Sequence, residues 1–229
     1  VYKRIFDDKN NFVCDYFIFN DKTEDIQSLE KEKYKATHDR LTGLYNKDQF
    51  YVETYKILHR NADVPYCMLC SNIRDFKFVN ELFGIEKGNE ILLKQADIIK
   101  KHAVDGYLYG RVGEDHFVVI ADEDTFNEEY LYECRETLQN VLSDSVYNVR
   151  VCFGIYRTDN MNESLSFMCD KASFAVASIK DDTHSFIAYY DDTMLEAAIK
   201  YKTIVDEFDD AIKAVSYTHL RAHETSLHL

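Results

Sequence analysis

Apolar positions along this chain follow two rhythms, and the switches between them mark out its elements. Residues 66–72 are almost unbroken in apolar character, as a strand covered on both faces must be. Residues 108–112 and 117–121 are short β-branched and aromatic runs with Gly113 at the break. They predict strand, turn, strand, with the charged turn residues at an exposed edge. Ile91, Leu92, Ala96 and Ile99 recur at helical spacing and predict a core-facing stripe on a helix over 87–103. The same patterning predicts helices over 47–60, 76–83, 128–142, 163–179 and 193–214, and strands over 149–156 and 186–190. Helices alternating with strands around a central mixed sheet define an α/β architecture.

Both ends differ from this middle. Residues 2–20 read as two strands joined by a turn at 7–11, and residues 26–36 as a charged helix entered from Thr23 or Asp25 as its cap. From Val215 onward the helical pattern stops, and three of the eight histidines fall there, at His219, His223 and His228. That stretch resembles the translation of a sequencing-library adapter and is set aside from fold reasoning.

Composition narrows the classes. An apolar fraction of 46% in 229 residues suffices for a packed core. With 41 acidic against 27 basic residues, net −14, the chain lacks the basic surface that nucleic acid or an anionic membrane requires. No run approaches the ~18 apolar residues of a membrane span, so the reading is cytoplasmic, with any membrane attachment left to sequence upstream of Val1. Six cysteines lie mostly inside apolar runs, as in a reducing compartment. The Cys67–Cys70 spacing sits within a strand, without a second pair, and reads as core packing rather than zinc or redox chemistry.

Four ordered motifs carry a resemblance. They are Asp39-Arg-Leu-Thr-Gly-Leu-Tyr-Asn-Lys47, Phe76-Lys77 with Asn80, Gly84 with Gly88, and Arg111-Val-Gly-Glu-Asp-His-Phe117. Together they resemble the DxLTxLxNR, FKxxND, GHxxGD and RxGGDEF motifs of the GGDEF domain, the fold of bacterial diguanylate cyclases. The resemblance implies a GGDEF domain over 38–190, with the end of a PAS-like sensor over 1–22 and a connecting signalling helix over 23–37. Residues 191–214 resemble the helical connector toward an EAL domain, followed by the foreign tail at 215–229. It further implies a homodimer, with PAS-like and EAL domains in the same native chain and no nucleic-acid partner.

The family joins two GTP molecules: in a dimer, the 3′-hydroxyl of each attacks the α-phosphorus of the other. Metal ions neutralise the phosphates, which calls for hard anionic ligands. By resemblance the metal positions are Asn72, the backbone carbonyl of Ile73, and Asp115, which is also the vestigial catalytic acid. Asn72 is a neutral amide, and Arg74 places a cation where the pattern has an anion, so Mg²⁺ binding is expected to be weak. In the signature turn, Gly113, Glu114, Asp115, His116 and Phe117, Glu114 replaces a glycine that lets backbone approach the nucleotide. His116 replaces an acid. The nucleotide-binding positions are Phe76, Lys77, Asn80, Asn89 and Gly113. At Asn89 an amide stands where a carboxylate accepts two guanine N–H groups. The phosphate-gripping cations of active members fall near Ala177 and Asp181, with Lys180 displaced by three residues. The product-inhibition pair falls at Val104 and Tyr107 and is absent. The expectation is a catalytically degenerate domain acting as a regulatory or dimerisation module, with GTP as an admissible ligand. A weakly active diguanylate cyclase and a structural spacer without nucleotide binding are the alternatives.

Overall fold

A computed structural model describes residues 2–17, 22–60, 64–104, 106–142, 147–158, 163–179, 182, 184–197, 199–200 and 203. Its main body is a six-stranded sheet in the order β3(Tyr45–Asn46), β5(Leu108–Arg111), β6(Phe117–Asp122), β4(Tyr66–Ile73), β7(Val151–Arg157), β8(Ile187–Tyr189). The two outer pairings, β3 with β5 and β7 with β8, are parallel, and the inner ones are antiparallel. This is the mixed α/β sheet that the patterning predicts.

Strand β4 lies at the centre because both of its faces are apolar. Cys67, Leu69 and Ile73 enter the core with Ile91, Leu92, Ala96 and Ile99 of helix α4(Ile85–His102) and with Leu131, Cys134 and Leu138 of α5(Glu129–Asn140). Met68 and Cys70 enter a second core, shared with Phe50 and Leu58 of α2(Lys47–Arg60) and Met168, Ala172 and Val176 of α6(Leu165–Ser178). Period-two alternation therefore sends Cys67 and Cys70 into opposite layers, so they cannot act as a pair. Helix α6 lies directly on β7: a Cβ at Gly154 would sit 2.0 Å from the Ala172 carbonyl oxygen.

Several boundaries differ from the sequence-based expectation. Helix α6 begins at Leu165 because Ser164 caps it, accepting from the Phe167 N–H at 3.3 Å. Helix α4 begins at Ile85, two residues earlier than the pattern, because Gly84 at φ +85° ends α3(Phe76–Phe83) and opens α4 at once. Strand β3 is not visible in the pattern, since two residues have no period. Its Asn46 also accepts from Gln49 N–H at 3.0 Å, capping α2.

The N-terminal expectation of two strands appears as the hairpin β1(Tyr2–Phe6) and β2(Phe12–Phe17), followed by α1(Thr23–Thr37), which has no buried residue. Of the helix expected over 193–214, residues 192–197, 199–200 and 203 are helical, and the rest, with the whole 215–229 tail, lie outside the described residues.

Candidate functional site

The signature turn and the end of β4 meet because β6 pairs with β4 in a register that sets Phe117 beside Ser71. The turn itself is closed by the Val112 N–H bonding to the His116 carbonyl at 2.9 Å. It is pinned from behind by Arg111, whose Nε and Nη2 donate to the Glu114 carbonyl at 3.2 and 2.5 Å. Arg111 Nη1 reaches Asp39 Oδ1 at 3.0 Å, and the same oxygen accepts from the Thr42 N–H at 2.8 Å and Thr42 Oγ1 at 2.7 Å. Burial pushes the Asp39 carboxyl up. The Thr42 donors and the Arg111 guanidinium outweigh it and leave the group below the usual carboxylate range. Asp39 thereby ties its own loop to the turn.

The turn does not present all its charges to solvent. Asp115 is only 8% exposed. Its Oδ2 accepts from the Ile73 N–H and from Asn72 Nδ2, both at 3.0 Å, and its Oδ1 lies 3.3 Å from His116 Nδ1. The turn folds its acid inward because those donors replace water, each bond to the carboxylate contributing about 1.5–3 kcal/mol. Asn72 Nδ2 also faces His116 Nε2 at 3.1 Å, so one amide NH₂ bridges the acid and the ring. The Asp115 hydrogen bond raises the His116 pKa above its ordinary value, with burial opposing it and the charges of Asp115 and Glu114 adding to it. Protonation at Nε2 would set N–H against N–H, and Asn72 would have to turn its oxygen to the ring and release Asp115. The ring also packs over Gly113, where an added Cβ would lie 3.2 Å from His116 Nδ1.

The other positions expected to bind nucleotide, apart from Gly113, lie on α3 and α4. Phe76 is buried in the core, and Lys77 is exposed on the first turn of α3. Gly88 lets α4 close onto α3: a Cβ there would sit 1.9 Å from Asn80 Oδ1. That oxygen is buried, and no hydrogen-bond partner for it is found among the described residues. Asn89, half-buried, follows Gly88 on α4. The structure therefore assembles Asn72, Ile73, Gly113, Asp115 and His116 into one cluster, with Asn80 and Asn89 at a second place along α3 and α4.

Beside the cluster is a cleft of about 180 Å³, lined by Ser71, Asn72, Arg74, His116, Cys152, Ser173, Val176 and Ala177. Cys152 and Ser173 escaped the sequence reading. Neither carries a local signal: the register of β7 on β4 sets Cys152 beside Asn72, and Ser173 arrives through the packing of α6. Lys180 and Asp181 lie outside the described residues.

The metal implied by the family's chemistry needs anionic oxygens turned toward it. Here Asn72 turns its amide nitrogen toward Asp115, the Ile73 N–H occupies the same carboxylate oxygen, and Arg74 lines the cleft as a cation. Among the described residues no three His, Cys, Asp or Glu side chains converge. The donor set does not fit a divalent metal pair.

A family model described as "Diguanylate cyclase, GGDEF domain" matches residues 36–185. The chain belongs to this GGDEF family, since the match spans more than half of it. Diguanylate cyclase DgcM of Escherichia coli K12 is 34% identical over 105 residues, covering 45% of this chain and 26% of that protein. Probable diguanylate cyclase DgcT of the same strain is 30% identical over 122 residues, 52% of this chain and 27% of that protein. The chain thus spans about a quarter of the length of these curated relatives. Among solved structures, the coiled coil and GGDEF domain of Caulobacter crescentus DgcB, in complex with c-di-GMP, superposes with a TM-score of 0.62 at 21% identity. That match covers 73% of this chain and 93% of that one. The active GGEEF domain of a Vibrio cholerae diguanylate cyclase gives 0.52 at 18% identity, covering 64% and 97%. At these identities the likeness is one of fold.

Proposed function

We propose that this chain is a catalytically silent GGDEF domain that serves as a regulatory or dimerisation module in bacterial cyclic-di-GMP signalling, with GTP as its ligand. The observation that carries this reading is the state of Asp115. Its Oδ2 is held by the Ile73 N–H and the Asn72 amide, so the surviving acid is satisfied by protein donors rather than turned toward a metal. Phosphoryl transfer between two polyanions without metal neutralisation lacks its main source of charge stabilisation. The crowding of Gly113 by His116 and the presence of Glu114 in the turn add to the same reading. A role as a paired module is supported by α1, where Ile26 and Leu29, 55% and 54% exposed, lie three positions apart on one face. In this reading a PAS-like segment precedes the helix and an EAL domain follows the connector in the native protein.

The test is calorimetric titration of GTP with Mg²⁺ into the 229-residue chain, followed by chromatographic assay of the same sample for cyclic-di-GMP. Binding without product is the expected result. Product formation overturns the silent reading, and absence of any GTP binding reduces the domain to a spacer.

A further inference from the structure

We infer that Cys70 and Cys169 form a redox-active dithiol, which a peroxide-class oxidant converts to a disulfide that fastens α6 to β4. Cys67, the near neighbour of Cys70 in sequence, enters the opposite layer, so the sulfur partner of Cys70 comes from 99 residues away. The Cys70 S–H donates to the Cys169 carbonyl at 3.6 Å, and its sulfur is also within hydrogen-bond reach of the Cys169 thiol. Cys169 Sγ lies 3.8 Å from the sulfur of Met68, two positions from Cys70 on the same face of β4. Three sulfurs therefore meet under α6.

Gly154 brings them together. It pairs with Cys70 across β4 and β7, and its missing side chain lets Ala172 of α6 settle directly on the sheet. Cys169 precedes Ala172 by three residues and lies on the same face of the helix. With Cys70 Sγ 3.6 Å from the backbone of residue 169, the two chains are within the reach of a disulfide, whose Cα atoms stand roughly 4.4–6.8 Å apart. The surroundings also divide the roles. The hydrogen bond from Cys70 holds the Cys169 thiol below its ordinary value; burial opposes it, and the Tyr51 hydroxyl adds to it. Of the nearby charges, Asp170 raises the Cys169 value and Lys47 lowers it. The bond to Cys169, followed by burial, raises Cys70 well above its ordinary value, so the thiolate forms at Cys169 and the proton stays on Cys70. Burial pushes Cys67 up to about 11 and Cys134 up to about 12, and raises Cys152, which leaves those three as protonated, unreactive thiols. Cys70 and Cys169 are 4% and 7% exposed, but the Ser173 hydroxyl beside Cys70 lines the cleft of about 180 Å³. A small neutral oxidant in that cleft is one side chain from the pair.

In the first step the Cys169 thiolate attacks one oxygen of hydrogen peroxide. An S–O bond forms, the O–O bond breaks, and the departing hydroxide takes up the proton that Cys169 released. The Cys70 sulfur then attacks the Cys169 sulfenic acid: the S–S bond forms, the S–O bond breaks, and the hydroxyl leaves as water with the Cys70 proton. Two thiols are oxidised and one peroxide is reduced to two waters. A dithiol reductant reverses the bond, as expected of a disulfide that senses redox state in a reducing compartment.

The experiment treats the full 229-residue chain with hydrogen peroxide, blocks remaining thiols with N-ethylmaleimide before denaturation, and maps its tryptic peptides by mass spectrometry. Residues 61–74 joined to 158–171 should be the major cross-link, lost on adding dithiothreitol, with fragmentation placing the bond on Cys70 rather than Cys67. Cys67→Ser should leave the cross-link intact. Cys70→Ser, confirmed as folded by its melting curve, should instead accumulate a Cys169 sulfenic acid that dimedone traps. Amide exchange over 165–178 should slow in the oxidised chain and recover on reduction. A chain without this cross-link, one that forms it only after unfolding in urea, or one that retains a 61–74 to 158–171 bond in Cys70→Ser would overturn the dithiol. Unchanged exchange over 165–178 would overturn the fastening of α6.

Discussion

Restoring an acid at Asn72 should destabilise the domain unless a metal accompanies it. In Asn72→Asp, the donor at 3.0 Å from Asp115 Oδ2 becomes a second carboxylate. Two unit charges at 3.0 Å repel by about 5.5 kcal/mol at an effective dielectric of 20. The pair relieves part of this by taking up a shared proton, so the net cost in EDTA at neutral pH is about 2–4 kcal/mol. Asn72→Ala, which loses only the hydrogen bond to a charged acceptor, should cost about 1.5–3 kcal/mol. Urea denaturation followed by circular dichroism, in EDTA and in millimolar Mg²⁺, separates the cases. Mg²⁺ should recover most of the loss in Asn72→Asp, do nothing for Asn72→Ala, and leave the parent chain unchanged. A parent chain that is itself stabilised by Mg²⁺, or an Asn72→Asp variant as stable in EDTA as the parent, would refute the reasoning.

Arg111 should tolerate neither truncation nor a change of shape. Arg111→Ala removes its three bonds to Asp39 and Glu114 at a half-buried position and should cost about 2–3 kcal/mol in urea denaturation, with Arg111→Lys recovering little because an ammonium cannot reproduce the fork. Gly154→Val places side-chain atoms against the Ala172 carbonyl, which a Cβ already meets at 2.0 Å, and should leave little soluble folded protein; a normal melting transition would refute the close packing of α6 on β7. The native Asp39 carboxyl releases its proton more readily than in the unfolded chain. Its stabilising contribution is therefore complete above the ordinary value near 3.8 and is lost as pH falls through the lowered native one. Asp39→Asn should be less stable at neutral pH and should lose stability less steeply below pH about 4, and equal acid slopes in the two proteins would count against the Arg111–Asp39 link.

Much of the architecture was readable from residue order alone. A run such as Tyr66–Ile73 can be stable only with both faces covered, so its place at the middle of the sheet follows from its lack of alternation. The stripe of Ile91, Leu92, Ala96 and Ile99 named the buried face of α4 because helical spacing is a local property. The motif positions likewise displayed an amide, Asn72, at the strand end and Glu114 and His116 in the turn. What the sequence could not supply is direction. The Asn72 amide turns its nitrogen to Asp115, the Ile73 N–H takes the same oxygen, and the acid is buried rather than displayed. These contacts join residues 43 and 42 positions apart, and Arg111 reaches Asp39 across 72. Such distances leave no trace in local periodicity, because strand register and helix packing bring the partners together only after the sheet has closed. The cleft under α6 has the same origin: Arg74, Cys152 and Ser173 become neighbours only in three dimensions.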